Sequence, residues 1–529
     1  MPEEVVVFCC AFGLGASLWA VMDGVATHFT WVDWAVLVGY MALTTWVGHR
    51  LRGKQSTIRD FFLAGRRLPW QAVSGSIIAT EISALTFIGV PGMVFAAQGN
   101  FTYLQWAIGS VLARVLIGKF LVKRYYEEEI YSPYDYMERR LGVGVKQVTT
   151  FLFFLGAILG QSVRLLVPAI VLRTVTGLDF QICIILIGIF AVGWTWMGGM
   201  ATVIWTDVMQ FFLFVFSGLL ALVWIIGSLD GGWGQLVEAG DESGKWTLWN
   251  LTTDPAVEFT LWVAILAMPF QNLAAFGMDQ LNAQRMFCCK NAEDATKAII
   301  WSSAGQVVTV LMMVVGVGLY AFYQQNPPTA AELALFDGNK DYVFPVWITT
   351  VLPMGVTGLV LAGAFAAAIS SMDSILAALA QTTMSLAGWK HDDEKKALRI
   401  SRLLVLGWGL ILVVAAIGLD QMRGNINLVQ LAFGMVAYTY GPLLGILFLA
   451  LSPWRVRMTG IWLGLIVSIL LTLWVRPDLY NILVNYELIT PEQAVAWRPK
   501  IAFPWLYPVT CFLTFGLGLI GSRRRGAGE

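Results

Sequence analysis

Two neighbouring hydroxyls, Ser370 and Ser371, stand in an otherwise apolar stretch, with the carboxylate Asp373 and a third hydroxyl, Ser374, just beyond them. Oxygen ligands of this kind suit a hard cation such as sodium, which can be held by hydroxyls and carbonyls without any formal charge. The same serines equally suit bonding back to their own helix or easing helix packing. Asp207, Arg164 and Glu81 lie in three further apolar stretches. A charge in hydrocarbon costs about 3 kcal/mol or more, so each of them needs a partner or a task. Arg164 has two: holding the carboxylate of a solute, or pairing with Glu81. Asp207 could cap the helix that follows Gly198-Gly199.

No nucleophile–base constellation, phosphate-binding glycine loop or metal-hydrolysis motif is present, so no catalytic step is expected. Cys9, Cys10, Cys183, Cys288, Cys289 and Cys511 lack CxxC spacing, and His28, His49 and His391 are far apart, so neither a disulfide framework nor a zinc site is indicated. The 34 basic and 34 acidic residues cancel, which offers nothing to nucleic acid, and no protein partner is evident. A membrane enzyme using Asp207, Asp373 and Glu81 as acid–base residues, and a sensor that has lost transport, are the rival classes.

The elements that must position these groups are membrane helices. Of the 529 residues 57% are hydrophobic and 13% charged, against about one quarter charged in a soluble domain. A span needs about 20 mostly apolar residues. Such runs fall near 31–49, 72–95, 101–122, 148–172, 180–197, 203–227, 259–282, 298–323, 353–388, 402–419, 426–451, 458–475 and 501–521. The chain is thus expected to be an all-α polytopic membrane protein of about 13–14 helices, the extra one being 5–22, read as a retained helix rather than a signal peptide. The run 353–388 is too long for one straight span, and an interfacial segment is expected before it, around 343–352.

Basic residues cluster in alternate connections: Arg50 to Arg67, Lys119 to Arg140, Arg285 to Lys297, Lys390 to Arg402, Arg455 with Arg457, and Arg523 to Arg525. These are expected to be cytoplasmic, the C-terminus with them, in the plasma (inner) membrane; 228–258, 324–343 and 476–500 should face outward.

Three stretches resemble the sodium:solute symporter family, whose members carry sugars, proline, monocarboxylates, pantothenate and sialic acids. They are Asp60-Phe61-Phe62-Leu63-Ala64-Gly65-Arg66 running on to Ile78-Ala79-Thr80-Glu81-Ile82-Ser83-Ala84-Leu85-Thr86-Phe87-Ile88-Gly89, then Gly198 through Gln210, then Ala366 through Ser374. Asp279-Gln280 with Gln284-Arg285, and Tyr438-Thr439-Tyr440-Gly441-Pro442, add support.

The resemblance implies a leucine-transporter-like core of two inverted five-helix repeats, 72–227 and 259–451. Before them stand 1–30 and the preceding helix and loop, 31–71; between them lies the external loop 228–258, and 452–529 holds the C-terminal helices. The first helix of a repeat should be broken near the midplane, freeing carbonyls for cations and solute. The implied main sodium site joins carbonyls of Ala79, Ile82 and Ala367 to Ser370 and Ser371, and the resemblance further implies a second sodium site or an ion exit at Asp207, Asp373 and Ser374, the last one turn beyond the serine pair. Around the break, Glu81, Ser83 and Thr86 can hydrogen-bond a solute, with Gln105 on the next helix. Phe276 matches an aromatic laid against the solute. Ala275 and Gln306 stand where sugar carriers of the family can have tyrosine and lysine, which disfavours a sodium/sugar symporter. The expectation is sodium-coupled symport of a carboxylate-bearing small organic solute by alternating access, with proton coupling as the alternative.

Overall fold

In a computed structural model of the chain, the described residues are 21–22, 25–26, 28–51, 62–197, 200–388, 394–422 and 426–524. The run 5–22 lies almost wholly outside them, as do Asp60-Phe61 and Gly198-Gly199. Helices occupy every one of the thirteen apolar runs: α1 (Trp31–Leu51), the pair α2 (Trp70–Glu81) and α3 (Leu85–Phe95), α4 (Phe101–Glu127), α5 (Val143–Thr176), α6 (Phe180–Met197), α7 (Met200–Ser228), the pair α8 (Leu261–Gly277) and α9 (Gln280–Met286), α10 (Ala292–Gln325), α11 (Val356–Leu386), α12 (Glu394–Met422), α13 (Leu428–Leu451), α14 (Met458–Val475) and α15 (Leu506–Gly518). By length and composition eight single helices can cross a membrane, or ten spans if each broken pair counts as one. The others are helical too, but α1 carries Asp33 and Arg50, and α6 and α15 are short.

The two breaks sit where the two repeats are expected to open. α2 and α3 meet at 52°, and α8 and α9 at 60°. At the first break Ile82 leaves helical geometry (φ −78°, ψ 81°). The N–H of Ser83, which a continuous helix would give to Ala79 four residues back, goes instead to the carbonyl of Glu81 at 3.0 Å. At the second break Asp279 caps α9 by accepting from the Leu281 N–H at 2.9 Å. Its other carboxylate oxygen takes the Tyr440 hydroxyl at 2.6 Å.

The serine-bearing helix α11 is, like α13, deeply enclosed: 89% of its apolar window is buried inside the protein, against 28% for α7. It packs on α7, α5, α2 and α1. With 31 residues it is about 46 Å long, more than the ~30 Å hydrocarbon layer. The expected segment before it is a separate helix, Val343–Val351. α1 is moored to the start of α11 by the buried Asp33, whose Oδ1 accepts the N–H groups of Gly355 and Gly358, both at 2.7 Å. Gly358 permits that approach, since a Cβ there would stand 2.6 Å from the Asp33 backbone.

The connection after α7 is pinned on top of the first broken pair. Lys245, fully buried, donates to the carbonyls of Val94 (2.9 Å), Ala96 (2.9 Å) and Gly99 (3.3 Å) at the end of α3.

Candidate sodium and solute site

The hydroxyls of α11 meet the carbonyls bared at the α2–α3 break. Ser370 Oγ donates to Ala79 O at 3.0 Å and lies 3.2 Å from Ala367 O. Ser371 Oγ is 3.4 Å from both Thr80 O and Ala367 O. Both serines are wholly buried, and Ile82 stands at the break itself. All the donors are neutral oxygens, a set that fits a sodium ion; among the described residues no cluster of His, Cys, Asp or Glu could hold a metal. Thr80 is an addition to the expected set, and Arg164 is another. Arg164 Nη1 donates to Thr80 O at 2.7 Å and to Ser371 Oγ at 3.0 Å.

A cavity of about 140 Å³ opens beside the same break, lined by Glu81, Ser83, Thr86, Arg164, Phe276 and Gln306 among others. Gln105 is a correction. It does not line the cavity; its amide donates to the carbonyls of Thr102 (3.1 Å) and Phe259 (3.3 Å) and accepts from the Asn250 N–H (3.3 Å). It anchors the 243–260 connection, because a buried amide this close to loop backbone spends its hydrogen bonds there.

The suggested Arg164–Glu81 pair is also corrected. Glu81 pairs with Arg114 of α4, a fully buried guanidinium that lies over the Phe276 ring, 4.3 Å from its centroid. Gln306 Nε2 donates to the other Glu81 oxygen at 3.3 Å. Arg164 has no carboxylate at ion-pair distance among the described residues, and its hydrogen bonds go to the neutral oxygens of Thr80 and Ser371.

Asp207, Asp373 and Ser374 do converge, though with an unexpected fourth member. Asp207 lies well inside α7, not at its cap, and takes Ser76 Oγ at 2.5 Å and Arg285 Nη2 at 3.0 Å. Arg285, expected in a cytoplasmic loop, is fully buried on α9; it also donates to Ser374, to Ser76 at 2.9 Å and to Leu281 O at 2.7 Å. Folding α9 back under the break carries it inward. Ser374 Oγ is 2.7 Å from Ser370 O and 3.1 Å from Asp373 Oδ1, which places this cluster one turn from the serine pair. The second oxygens, Asp207 Oδ1 and Asp373 Oδ2, are buried with no protein hydrogen-bond partner.

A family model, the sodium:solute symporter family, matches residues 61–468. The chain belongs to the sodium:solute symporter family. This symporter is 27% identical over 457 residues to the sodium/sialic acid symporter SiaT of Proteus mirabilis (strain HI4320), covering 85% of this chain and 90% of that one. It is 26% identical to the human sodium-coupled monocarboxylate transporter 1, covering 85% and 74%. A solved Na+-coupled sialic acid symporter in a substrate-bound outward-open state superposes with a TM-score of 0.77 at 23% identity, over 93% of this chain and 99% of that one. The fold is thus that of sodium-coupled carriers with broken helices, and the family is one of transporters, not enzymes.

Sequence reading missed two of the arginines that decide the symporter's electrostatics. Arg114 had a usable signal, a guanidinium inside the run 101–122. Arg285 had a weaker one, its place in the Gln284-Arg285 match, which lost to its position past the end of an apolar run, where a charge reads as a loop residue.

Proposed function

We propose that this symporter moves a carboxylate-bearing organic solute inward with sodium, in the plasma (inner) membrane, with its basic connections and C-terminus in the cytoplasm. Arg164 carries the proposal. Of the three guanidiniums around the break, Arg114 is neutralised by Glu81 and Arg285 by Asp207, while Arg164 meets only neutral oxygens and lines the cavity. A half-buried guanidinium without a carboxylate partner is a receptor for a bidentate anion, and a carboxylate fits its fork. The printed substrates of the relatives above, sialic acid and monocarboxylates, are both carboxylates.

Sodium is held by Ala79, Thr80, Ile82 and Ala367 carbonyls with Ser370 and Ser371. The solute lies among Glu81, Ser83, Thr86, Phe276 and Gln306 with its carboxylate on Arg164. The repeats 72–227 and 259–451 rock about this point, and sodium acts through its unequal affinity for the two states. The Asp207–Asp373–Ser374 cluster lies on the ion's way out, and Arg285 supplies Asp207 with the charge that a second sodium would otherwise bring.

Proteoliposomes given an inward sodium gradient at fixed pH test this. Radiolabelled sialic acid and short monocarboxylates should be compared with neutral sugars. Sodium-driven uptake of a carboxylate, lost in Arg164→Ala and reduced in Arg164→Lys, is expected. Carboxylate uptake indifferent to the sodium gradient, or unaltered in both variants, defeats the proposal.

A further inference from the structure

We infer that Arg164 gates the sodium site: its guanidinium competes with sodium for the oxygens of Ser371 and Thr80, and the solute carboxylate relieves that competition by drawing the guanidinium into the cavity. The inference rests on the reading of the site given above and adds a coupling step to it.

One nitrogen makes both contacts. Arg164 Nη1 stands 2.7 Å from Thr80 O and 3.0 Å from Ser371 Oγ, and that hydroxyl belongs to the serine pair whose neighbour reaches Ala79 O. A hydroxyl oxygen that accepts from a guanidinium has a lone pair engaged and is a poorer cation ligand. A full positive charge at hydrogen-bond distance from two of the site's oxygens also repels sodium, most strongly where water is excluded. Arg164 therefore weakens sodium binding for as long as it holds Ser371 and Thr80.

The same side chain borders the cavity alongside Gln161 and Tyr440. A carboxylate there offers the fork a stronger, charge-assisted pair than two neutral oxygens do. Turning toward it releases Ser371 and Thr80 and removes much of the repulsion, since the anion offsets the guanidinium charge. Solute then raises sodium affinity, and by linkage sodium raises solute affinity by the same factor. Sodium without solute binds weakly, which limits uncoupled leak.

The test uses sodium alone on the purified full-length chain, titrated calorimetrically at constant ionic strength with choline, so that it needs no knowledge of the solute. Arg164→Gln should tighten sodium binding by roughly tenfold or more relative to the unmodified protein. Arg164→Lys, which keeps the charge but on a shorter side chain that reaches Thr80 O and Ser371 Oγ less closely, should tighten it by a smaller factor, and serves if the first variant does not fold. Equal or weaker sodium binding in a folded variant overturns the gating inference while leaving sodium coupling intact. Failure of the unmodified protein and of both folded variants alike to bind sodium overturns the proposed function, and the inference with it.

Discussion

Arg285 Nη2 stands 3.0 Å from Asp207 Oδ2, and neither side chain is exposed. The pair ties α9, the half-helix below the second break, to α7, and through Ser76 to α2 below the first. Removing one partner leaves the other as an uncompensated buried charge. Arg285→Ala is expected to cost about 3–5 kcal/mol, and Arg285→Gln combined with Asp207→Asn to restore part of it. Thermal unfolding in detergent reads this, and a single variant that melts with the unmodified protein would show the pair to be idle.

Arg114 and Glu81 form the corresponding pair at the cavity wall, where the Glu81 side chain keeps 22% of its exposure. Glu81→Gln removes a partly hydrated carboxylate and leaves a neutral acceptor beside the buried Arg114, so it should destabilise by about 2 kcal/mol, less than Arg285→Ala. Adding Arg114→Met to Glu81→Gln should recover stability without recovering transport. Were Glu81→Gln to cost more than Arg285→Ala, the ranking by burial would be wrong.

Ser370 Oγ contacts the bared Ala79 carbonyl at 3.0 Å. Ser370→Ala deletes one proposed sodium ligand and leaves the cavity untouched. The sodium concentration for half-maximal uptake should rise by roughly tenfold, about 1.4 kcal/mol, with little change in maximal rate at saturating sodium. An unchanged sodium dependence would remove Ser370 from the ion site.

Asp33 accepts two backbone N–H groups at the start of α11. Asp33→Ala should cost about 1–2 kcal/mol, the usual loss of a helix cap. It should also loosen α1 selectively, seen as faster hydrogen exchange in 31–51 than in the rest of the bundle. Uniform exchange across all helices would argue against a local mooring.

The apolar runs reported the helices faithfully because a run of about 20 apolar residues has few alternatives in lipid. The serine pair was legible for a similar reason: Ser370 and Ser371 are adjacent in sequence, and the motif around them resembles a family. Gln105 was misread, since its amide is polar like its neighbours' and only loop packing shows that Thr102, Phe259 and Asn250 claim it.

Local order along the chain therefore determined that this is a helical membrane carrier, where its helices lie, and which helix sets hydroxyls against the bared carbonyls. Which charge meets which was left to the tertiary structure. Ion pairing depends on distance across helices far apart in sequence: Glu81 with Arg114 rather than Arg164, and Asp207 with Arg285 from beyond a 60° bend. A residue's type states that it must be paired; only the packing of broken helices brings a particular partner within 4 Å or withholds it, as it does for Arg164.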